Sequence, residues 1–311
     1  MSAQGDVAFL FAGQGTQYVG MGAGLWASHE PARALLARAE TLLGVPLGQI
    51  ILEGPEERLA LTEHTQPAVL LLGIVHHQVA LERGLAPTVL LGHSLGEYAA
   101  WVAAGSLALE DALRLVQLRG RLMQEAVPVG VGAMSAVVGA ELPTVEALCG
   151  EVAQRRGEVL SVAIRNCPGN LVISGHAAAV REAEVLIEAR QLGAVKALSV
   201  SAPFHCALLE PAARGLAQAL AEVEVRPNAL RVIPNATGKV AEPAQDPAQI
   251  RAWLVEQVVS PVLWEDSLRA ALLLGVKSAV GLGPGTTARA HLKRVDRKLP
   301  LVCLDEERPG L

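Results

Sequence analysis

The sequence predicts an α/β fold with a parallel sheet, interrupted by a smaller inserted subdomain. Hydrophobic residues make up 51% of the 311 residues and charged residues only 18%, which predicts a large core. Aromatic residues make up 3%, so the core must consist of Ala, Leu and Val, a composition suited to helices packed on a parallel sheet. Buried-strand patterns also alternate with helical patterns along most of the chain, as in α/β proteins.

The main subdomain begins and ends the chain. Before the insertion, the apolar runs predict strands at 7–13 and 87–94 and helices at 30–43, 66–83, 95–105 and 109–126. After the insertion, the pattern predicts a helix at 206–222, a strand at 230–235, a helix at 247–258, a strand at 278–285 and a last helix. We therefore expect residues 1–127 and 199–311 to form one α/β subdomain.

The inserted segment, residues 128–198, has a different pattern. Its predicted elements are a strand at 132–139, a helix at 143–156, a hairpin at 160–175, a helix at 177–191 and a strand at 194–200. The order β-α-β-β-α-β is that of a ferredoxin-like unit, so we expect a small subdomain of this kind.

Charge and composition exclude several classes of protein. The formal net charge of −5 gives no reason to expect nucleic acid or an anionic membrane as a partner. The longest apolar run, 68–75, is far shorter than the ~20 residues of a membrane helix, and the N-terminus lacks the basic start of a signal peptide. The four cysteines are scattered without a CxxC pair: Cys149, Cys167, Cys206 and Cys303. This spacing predicts no disulfide framework, no metal site and a reducing cytoplasmic location.

A serine stands in a G-x-S-x-G motif made of Gly92, His93, Ser94, Leu95 and Gly96. A predicted strand precedes the motif and a predicted helix follows it, which is the context of a nucleophile elbow and of a hydrolase-like fold. The N–H of Leu95, free at the helix start, then points to where an oxyanion would form. The alternative, a serine that only caps the helix, requires neither glycine. We interpret Ser94 as a nucleophile.

A nucleophilic serine needs a base, and two of the eight histidines are candidates. His205 lies between an apolar strand and a new helix, at the kind of sheet edge where functional residues collect. His291 lies inside a basic helix, where an exposed position is expected. His93 adjoins the serine and should point elsewhere. The remaining upstream histidines are expected at the surface: His29, His64, His76 and His77.

The choice of histidine separates two kinds of enzyme. An α/β-hydrolase orders its triad as serine, acid and histidine, which would select His291 with Asp246 or Asp266 as the acid. Such an arrangement predicts a serine esterase. We favour His205 because of its position at a sheet edge.

Arg119 interrupts the apolar face of the helix predicted at 109–126. Its neighbours three and four positions away on the helix are Leu115, Val116, Leu122 and Met123. None of them is acidic, so a local ion pair cannot neutralise the guanidinium. A guanidinium directed at the core needs an anion, and a carboxylate can be bound in bidentate fashion. An acid from elsewhere in the fold and a side chain that extends to the surface are alternatives. With a nucleophile nearby, we favour a substrate carboxylate.

Several segments together resemble the family of malonyl-CoA:acyl carrier protein transacylases, which includes the trans-acting acyltransferases of polyketide synthases. The resemblance covers nearly the whole chain. The segments that carry it are FAGQGTQYVGMG, GHSLGEYAA, LRGRLMQ, NCPGNLVISG, SAPFHCALLEPA and EQVVSPVLWEDSL.

The resemblance implies roles for individual residues. Ser94 would be the acylated nucleophile and His205 its base, while Arg119 would bind the free carboxylate of the malonyl group. The backbone N–H groups of Gln14 and Leu95 would form the oxyanion hole.

Further roles implied by the resemblance concern the surroundings of the histidine. No acid completes a triad in this family; a backbone carbonyl orients the histidine, and here it maps to Gln257. Asn166 would lie near the pocket. Phe204 resembles the aromatic residue of malonyl-selective members, which crowds the α-carbon of the acyl group.

The implied function is transfer of a malonyl group from malonyl-CoA to the phosphopantetheine thiol of an acyl carrier protein, through an acyl-serine, in fatty-acid or polyketide synthesis. We expect a cytoplasmic monomer with no bound cofactor or metal. The partners would be malonyl-CoA and the carrier protein, without nucleic acid or membrane. An acyl hydrolase of the same fold acting on carrier proteins, the serine esterase and a non-catalytic docking module are the alternatives.

Overall fold

The computed structural model describes residues 6–198, 200 and 202–306. Along these residues the strands are β1 (Val7–Phe11), β2 (Val89–Gly92), β3 (Gly132–Val138), β4 (Leu160–Cys167), β5 (Asn170–His176), β6 (Ala194–Ala197), β7 (Arg231–Ile233), β8 (Ser278–Leu282) and β9 (Leu301–Cys303). They form a parallel sheet of order β7-β2-β1-β8-β9 and a separate antiparallel sheet of order β4-β5-β3-β6. The α/β class predicted from the sequence is therefore confirmed.

The helices of the described chain surround these sheets. They are α1 (Ala23–Ser28), α2 (Glu30–Leu43), α3 (Leu47–Leu52), α4 (Glu56–Ala60), α5 (Thr62–Glu82), α6 (Gly96–Ala103), α7 (Leu109–Glu125), α8 (Leu142–Arg156), α9 (Ala177–Ala189), α10 (Glu210–Ala221), α11 (Pro247–Val259), α12 (Trp264–Leu273) and α13 (Thr287–Val295). None of them is long and apolar enough to cross a lipid bilayer.

The parallel sheet is covered on both faces. Successive side chains of a strand point to opposite faces, so Phe9 and Phe11 join the core that holds α5, α6 and α7, while Ala8 and Leu10 join the core that holds α12 and α13. Both faces of the strands are thus buried, which explains why the strands read as continuous apolar runs.

Several predicted boundaries differ from the structure. Helix α5 begins at Thr62 rather than at residue 66, so Pro67 lies inside the helix. The strand predicted at 194–200 is shorter, since β6 ends at Ala197, and Ser199 lies outside the described residues. The helix predicted from residue 206 begins at Glu210, after a single 3₁₀ turn.

The sequence patterns missed α1, α3, α4, α12 and β9. The first three of these helices have six, six and five residues, too few to show a helical repeat. Helix α12 has ten residues and an amphipathic pattern, so its sequence does contain a helical repeat.

The antiparallel sheet and helices α8 and α9 form a small unit with its own hydrophobic core. The strand order β4-β5-β3-β6 and the β-α-β-β-α-β connectivity are those of a ferredoxin-like fold. The unit is joined to the large one where Val262 exchanges backbone hydrogen bonds with Ala163 and Arg165, at 2.9 Å each. The subdomain boundaries at 128 and 198 stay a prediction.

Candidate active site

A sharp turn between β2 and α6 presents Ser94 at the carboxyl end of the parallel sheet. Ser94 has a φ of 51°, in the left-handed region that L-residues rarely adopt. A Cβ on Gly92 would lie 2.0 Å from the backbone of Gly96, and a Cβ on Gly96 would lie 2.5 Å from the carbonyl oxygen of Phe11. The turn therefore requires glycine on both sides of the serine, which is the geometry of a nucleophile elbow.

His205 is the base candidate that the structure brings to the serine. Its Nε2 lies 2.7 Å from Ser94 Oγ, and its Nδ1 lies 2.9 Å from the backbone carbonyl oxygen of Gln257. Because that carbonyl can only accept, Nδ1 carries the proton and Nε2 is left to accept from the Ser94 hydroxyl.

The surroundings of His205 keep its ring neutral. The residue is 3% exposed, and burial, with a further contribution from the Arg119 guanidinium, lowers its pKa to about 3. The imidazole is therefore unprotonated at neutral pH and able to accept a proton.

The alternative triad does not assemble in the structure. His291 lies on α13 with its ring centroid 6.2 Å from that of His93. Asp246 caps α11 by accepting from a backbone N–H, and Asp266 lies 3.8 Å from Arg165. His291 is also half-buried rather than exposed, and burial lowers its pKa to about 3.

The expectation that the upstream histidines lie at the surface is wrong for His76. This side chain is 1% exposed, and its Nδ1 accepts a hydrogen bond of 2.9 Å from the N–H of Gly283. Burial lowers its pKa to about 4. The other members of the group are half-buried: His29, His64 and His77.

Arg119 extends from α7 to the nucleophile and is 2% exposed. Its Nη1 donates to Gln66 Oε1 at 2.9 Å, and its Nη2 donates to Gln257 Oε1 at 2.9 Å and to Ser94 Oγ at 3.2 Å. The guanidinium also lies 5.6 Å from the centre of the Tyr98 ring. Burial of the whole group excludes the alternative in which the side chain extends to the surface.

Within the described chain the hydrogen-bond partners of Arg119 are neutral groups, and they do not use all five of its N–H donors. Within the described chain its Nε atom is buried without a hydrogen-bond acceptor. A buried cation whose Nη2 lies beside the nucleophile and whose partners carry no charge can bind an incoming carboxylate.

Glu97 is the buried acid that the sequence reasoning missed. It is 0% exposed and lies one turn after the nucleophile on α6. Its Oε2 accepts from the N–H of Asn235 at 2.9 Å and from Gln257 Nε2 at 2.6 Å, and its Oε1 accepts from Trp101 Nε1 at 3.1 Å. Burial, partly offset by these hydrogen bonds, raises its pKa to about 7. The signal was present in GHSLGEYAA, an acid within an otherwise apolar helix.

Asn235 is a second residue that the sequence did not reveal. Its Oδ1 accepts from the N–H of Ser94 at 2.6 Å, and its Nδ2 donates to the carbonyl of Gly92 at 2.7 Å. The side chain therefore holds the backbone on both sides of the elbow.

The predicted oxyanion-hole residues flank the serine. Leu95 immediately precedes the first helical residue of α6, and Gln14 lies in the loop after β1. Among the described residues, neither backbone N–H donates to another backbone group. The side chain of Gln14 donates to Thr62 Oγ1 at 3.4 Å.

The candidate residues surround a cavity of about 660 Å³ between the two subdomains. Gln14, Ser94, Arg119 and His205 line it, and half-buried Phe204 forms part of its apolar wall.

Asn166 lies beside this cavity rather than in its lining. Its Oδ1 lies 3.0 Å from His93 Nε2, and both side chains line an adjoining cavity of about 250 Å³. In the described chain, no three His, Cys, Asp or Glu side chains are grouped as ligands for a metal ion.

Comparisons with known proteins agree with this architecture. The family model for the acyl transferase domain matches residues 8–293. A malonyl CoA-acyl carrier protein transacylase of Bacillus subtilis is 38% identical over 96% of this chain and 93% of its own length. A crystal structure of an acyl carrier protein S-malonyltransferase from Vibrio cholerae matches with a TM-score of 0.91 and 40% identity, covering 96% of each chain.

A further solved structure contains a type II PKS acyl-carrier protein in complex with its malonyl-transacylase. It matches with a TM-score of 0.92 and 38% identity, covering 96% of each chain. The chain belongs to the acyl transferase family of the malonyl CoA-acyl carrier protein transacylases.

Proposed function

We propose that the protein transfers a malonyl group from malonyl-CoA to the phosphopantetheine thiol of an acyl carrier protein, in fatty-acid or polyketide synthesis. The observation that carries the proposal is the buried Arg119 guanidinium, whose Nη2 lies 3.2 Å from Ser94 Oγ. This cation is matched to an acyl group that bears its own carboxylate. The names of the relatives at 38–39% identity support the same reaction.

The first half-reaction acylates the serine. His205 Nε2 accepts the proton of the Ser94 hydroxyl as Oγ attacks the thioester carbonyl carbon. The N–H groups of Gln14 and Leu95 stabilise the oxyanion of the tetrahedral intermediate. When the intermediate collapses, the C–S bond breaks and the CoA thiolate takes the proton from His205.

The second half-reaction transfers the acyl group to the carrier protein. The phosphopantetheine thiol gives its proton to His205 and attacks the carbonyl carbon of the acyl-serine. The C–O bond to Ser94 breaks, and Oγ recovers the proton from His205. No resident cofactor takes part in these steps.

Arg119 supplies selectivity in this mechanism. The substrate carboxylate pairs with the guanidinium, which Gln66 and Gln257 hold in place. An acyl group without a carboxylate leaves the buried cation without an anion, so it reacts more slowly. Phe204 limits the space at the α-carbon, and Asn166 fixes His93 at the edge of the site.

A basic surface on α13 and the turn after it is our proposed docking face for the acidic carrier protein. Its exposed members are Lys293, Arg294, Arg297 and Lys298, with half-buried Arg289 beside them. Long-range attraction of this kind weakens with salt. Raising the ionic strength should slow transfer to the carrier protein and leave self-acylation unchanged; equal slowing of both steps contradicts docking here.

We further propose that the protein is a cytoplasmic monomer. The location is supported by its cysteines, which are dispersed in sequence as is usual for a reducing compartment. Sedimentation equilibrium measures the oligomeric state, and a stable dimer contradicts the proposal.

Intact-protein mass spectrometry tests the proposed reaction. Wild-type protein incubated with malonyl-CoA should gain one malonyl group, and Ser94→Ala should gain none. Addition of holo acyl carrier protein should discharge the adduct and yield malonylated carrier. Rapid release of free malonate, equal with and without carrier protein, would show a hydrolase instead.

A further inference from the structure

We propose that Glu97 is a positioning residue whose buried carboxylate holds Arg119 through the side chain of Gln257 and holds the Ser94 backbone through Asn235. The inference rests on the proposed malonyl transfer. It adds residues that position the nucleophile and the carboxylate-binding cation without contacting the substrate.

The partners of Glu97 favour an ionised carboxylate. All three of them are donors: the backbone N–H of Asn235, the indole N–H of Trp101 and the amide Nε2 of Gln257. An indole nitrogen can only donate, and so can a backbone N–H. A protonated carboxyl group or an amide at position 97 would itself carry an O–H or N–H donor facing these three donors. A buried polar group would then lack a hydrogen-bond partner.

The orientation of the Gln257 amide follows from its neighbours. Its Oε1 accepts from Arg119 Nη2, and because a guanidinium only donates, the oxygen must face Arg119. Its Nε2 then faces Glu97 and also donates to the Ser94 carbonyl at 3.0 Å. Glu97 therefore fixes the amide that positions the guanidinium.

The arrangement stabilises Arg119 without pairing it directly with a carboxylate. The Gln257 side chain lies between the Arg119 guanidinium and the Glu97 carboxylate. Glu97 therefore supplies a nearby negative charge without contacting Arg119 directly. A direct ion pair would place a permanent carboxylate on the guanidinium. The indirect contact leaves Arg119 able to pair with the carboxylate of the acyl group.

Two chains of hydrogen bonds start at Glu97. The Arg119 arm runs through Gln257 to the guanidinium, and the Ser94 arm runs through Asn235 to the elbow. Glu97 holds the N–H of Asn235, and the Asn235 side chain in turn holds the N–H of Ser94 and the carbonyl of Gly92. The positive φ of Ser94 persists only if its surroundings determine it. These hydrogen bonds connect the ends of β2 and β7 and so provide that constraint.

Two reactions of Ser94 separate the arms. Acylation by malonyl-CoA depends on the nucleophile and on carboxylate binding by Arg119, whereas labelling by an alkyl fluorophosphonate, which has no carboxylate, does not depend on carboxylate binding. In Glu97→Gln we expect the malonylation rate to fall about 10-fold or more relative to the labelling rate. Loss of fold would lower both rates together and would not change their ratio.

Substitutions of the two connecting residues, Gln257 and Asn235, test the Arg119 arm and the Ser94 arm. Gln257→Met removes the bridge to Arg119 and also the contact with the Ser94 carbonyl, so it should lower both rates, and malonylation more than labelling. Asn235→Ala removes the contact with the elbow and should lower both rates by a similar factor. Glu40→Gln is the matched control, because Glu40 also accepts a backbone N–H, from Gly48 at 2.8 Å, but lies outside the site; both rates should equal those of the wild type.

The outcomes distinguish this inference from the proposed function. If wild-type Ser94 forms no malonyl adduct, the proposed function is wrong. If the wild type is malonylated but folded Glu97→Gln keeps the wild-type ratio of rates, the positioning role is overturned. Should Glu97→Gln not fold, an unchanged ratio in Gln257→Met overturns the Arg119 arm, and unchanged labelling of Asn235→Ala overturns the Ser94 arm.

Discussion

Ser94 and His205 lie 2.7 Å apart from oxygen to nitrogen, and both have left-handed backbone angles, with φ of 51° and 59°. Two unfavourable conformations in one hydrogen-bonded pair indicate that the surrounding structure holds both residues in place. Asn235 provides this for Ser94, and the Gln257 carbonyl fixes the His205 ring.

Replacing His205 with alanine removes the proposed proton acceptor of Ser94. We expect the rate of Ser94 malonylation to fall by roughly 10² to 10⁴, the range of general-base catalysis. Rapid-quench mass spectrometry measures the rate. His291→Ala should retain most of the activity, because His291 lies on α13 beside His93 and makes no hydrogen bond with Ser94 in the described structure. Loss of activity in His291→Ala alone would reverse the assignment of the base.

Replacing Arg119 with alanine should change substrate preference. Without the cation, malonylation by malonyl-CoA should fall roughly 100-fold, the loss typical of a buried charged partner. Acylation by acetyl-CoA should persist or increase, because no buried cation is left unpaired. Competition between the two CoA esters, read by mass, measures the preference.

The control for Arg119→Ala is Arg114→Ala on the same helix. Arg114 is exposed and its guanidinium lies 3.5 Å from Asp111, so its loss should leave the preference unchanged. Equal malonylation by wild type and Arg119→Ala would show that the carboxylate is bound elsewhere.

Sequence patterns predicted the α/β class and the elbow because both have strong local signals. Buried parallel strands appear as apolar runs, and an elbow requires glycines at fixed positions around Ser94. Arg119 was detectable because a charge on an apolar helix face is conspicuous.

The network behind the site was not detectable from these patterns. Glu97 and Gln257 are separated by 160 residues, so their contact exists only once α6 and α11 pack together. Asn235 follows an ordinary short strand, and nothing local marks its contact with Ser94 across 141 residues. The pattern around His76 does not show that it is buried, because its helix is buried nearly all round and has no polar face that would distinguish an interior histidine from a surface one.

The glycine at position 96 should be indispensable to the elbow. In Gly96→Ala, the new Cβ would lie 2.5 Å from the carbonyl oxygen of Phe11 and 2.7 Å from that of Ala12, so the end of β1 must shift. We expect a loss of about 1–3 kcal/mol in the free energy of unfolding and slower fluorophosphonate labelling of Ser94. Urea unfolding and labelling kinetics measure the two effects.

Gly150→Ala is the control for the elbow glycine. Gly150 lies inside α8, and in the described chain a Cβ added there would have no atom within 4 Å apart from its chain neighbours and the helix's own backbone. The substitution should stabilise the protein by up to about 1 kcal/mol through helix propensity. If Gly96→Ala behaves like Gly150→Ala, the close approach to β1 is not a constraint.

The pH dependence of malonylation should follow Glu97 rather than His205. The pKa of His205 is about 3, so its ring stays unprotonated throughout the neutral range. Burial raises the pKa of Glu97 to about 7, and the nearby Arg119 cation partly opposes this shift. If the ionised carboxylate is the active form, the rate reaches its full value only well above pH 7 and falls as the pH drops through about 7. Glu97→Gln should be slower but lack this decline, and because the same malonyl-CoA is used, it controls for ionisation of the substrate. A decline near pH 7 of equal size in both proteins would assign the titration to another group.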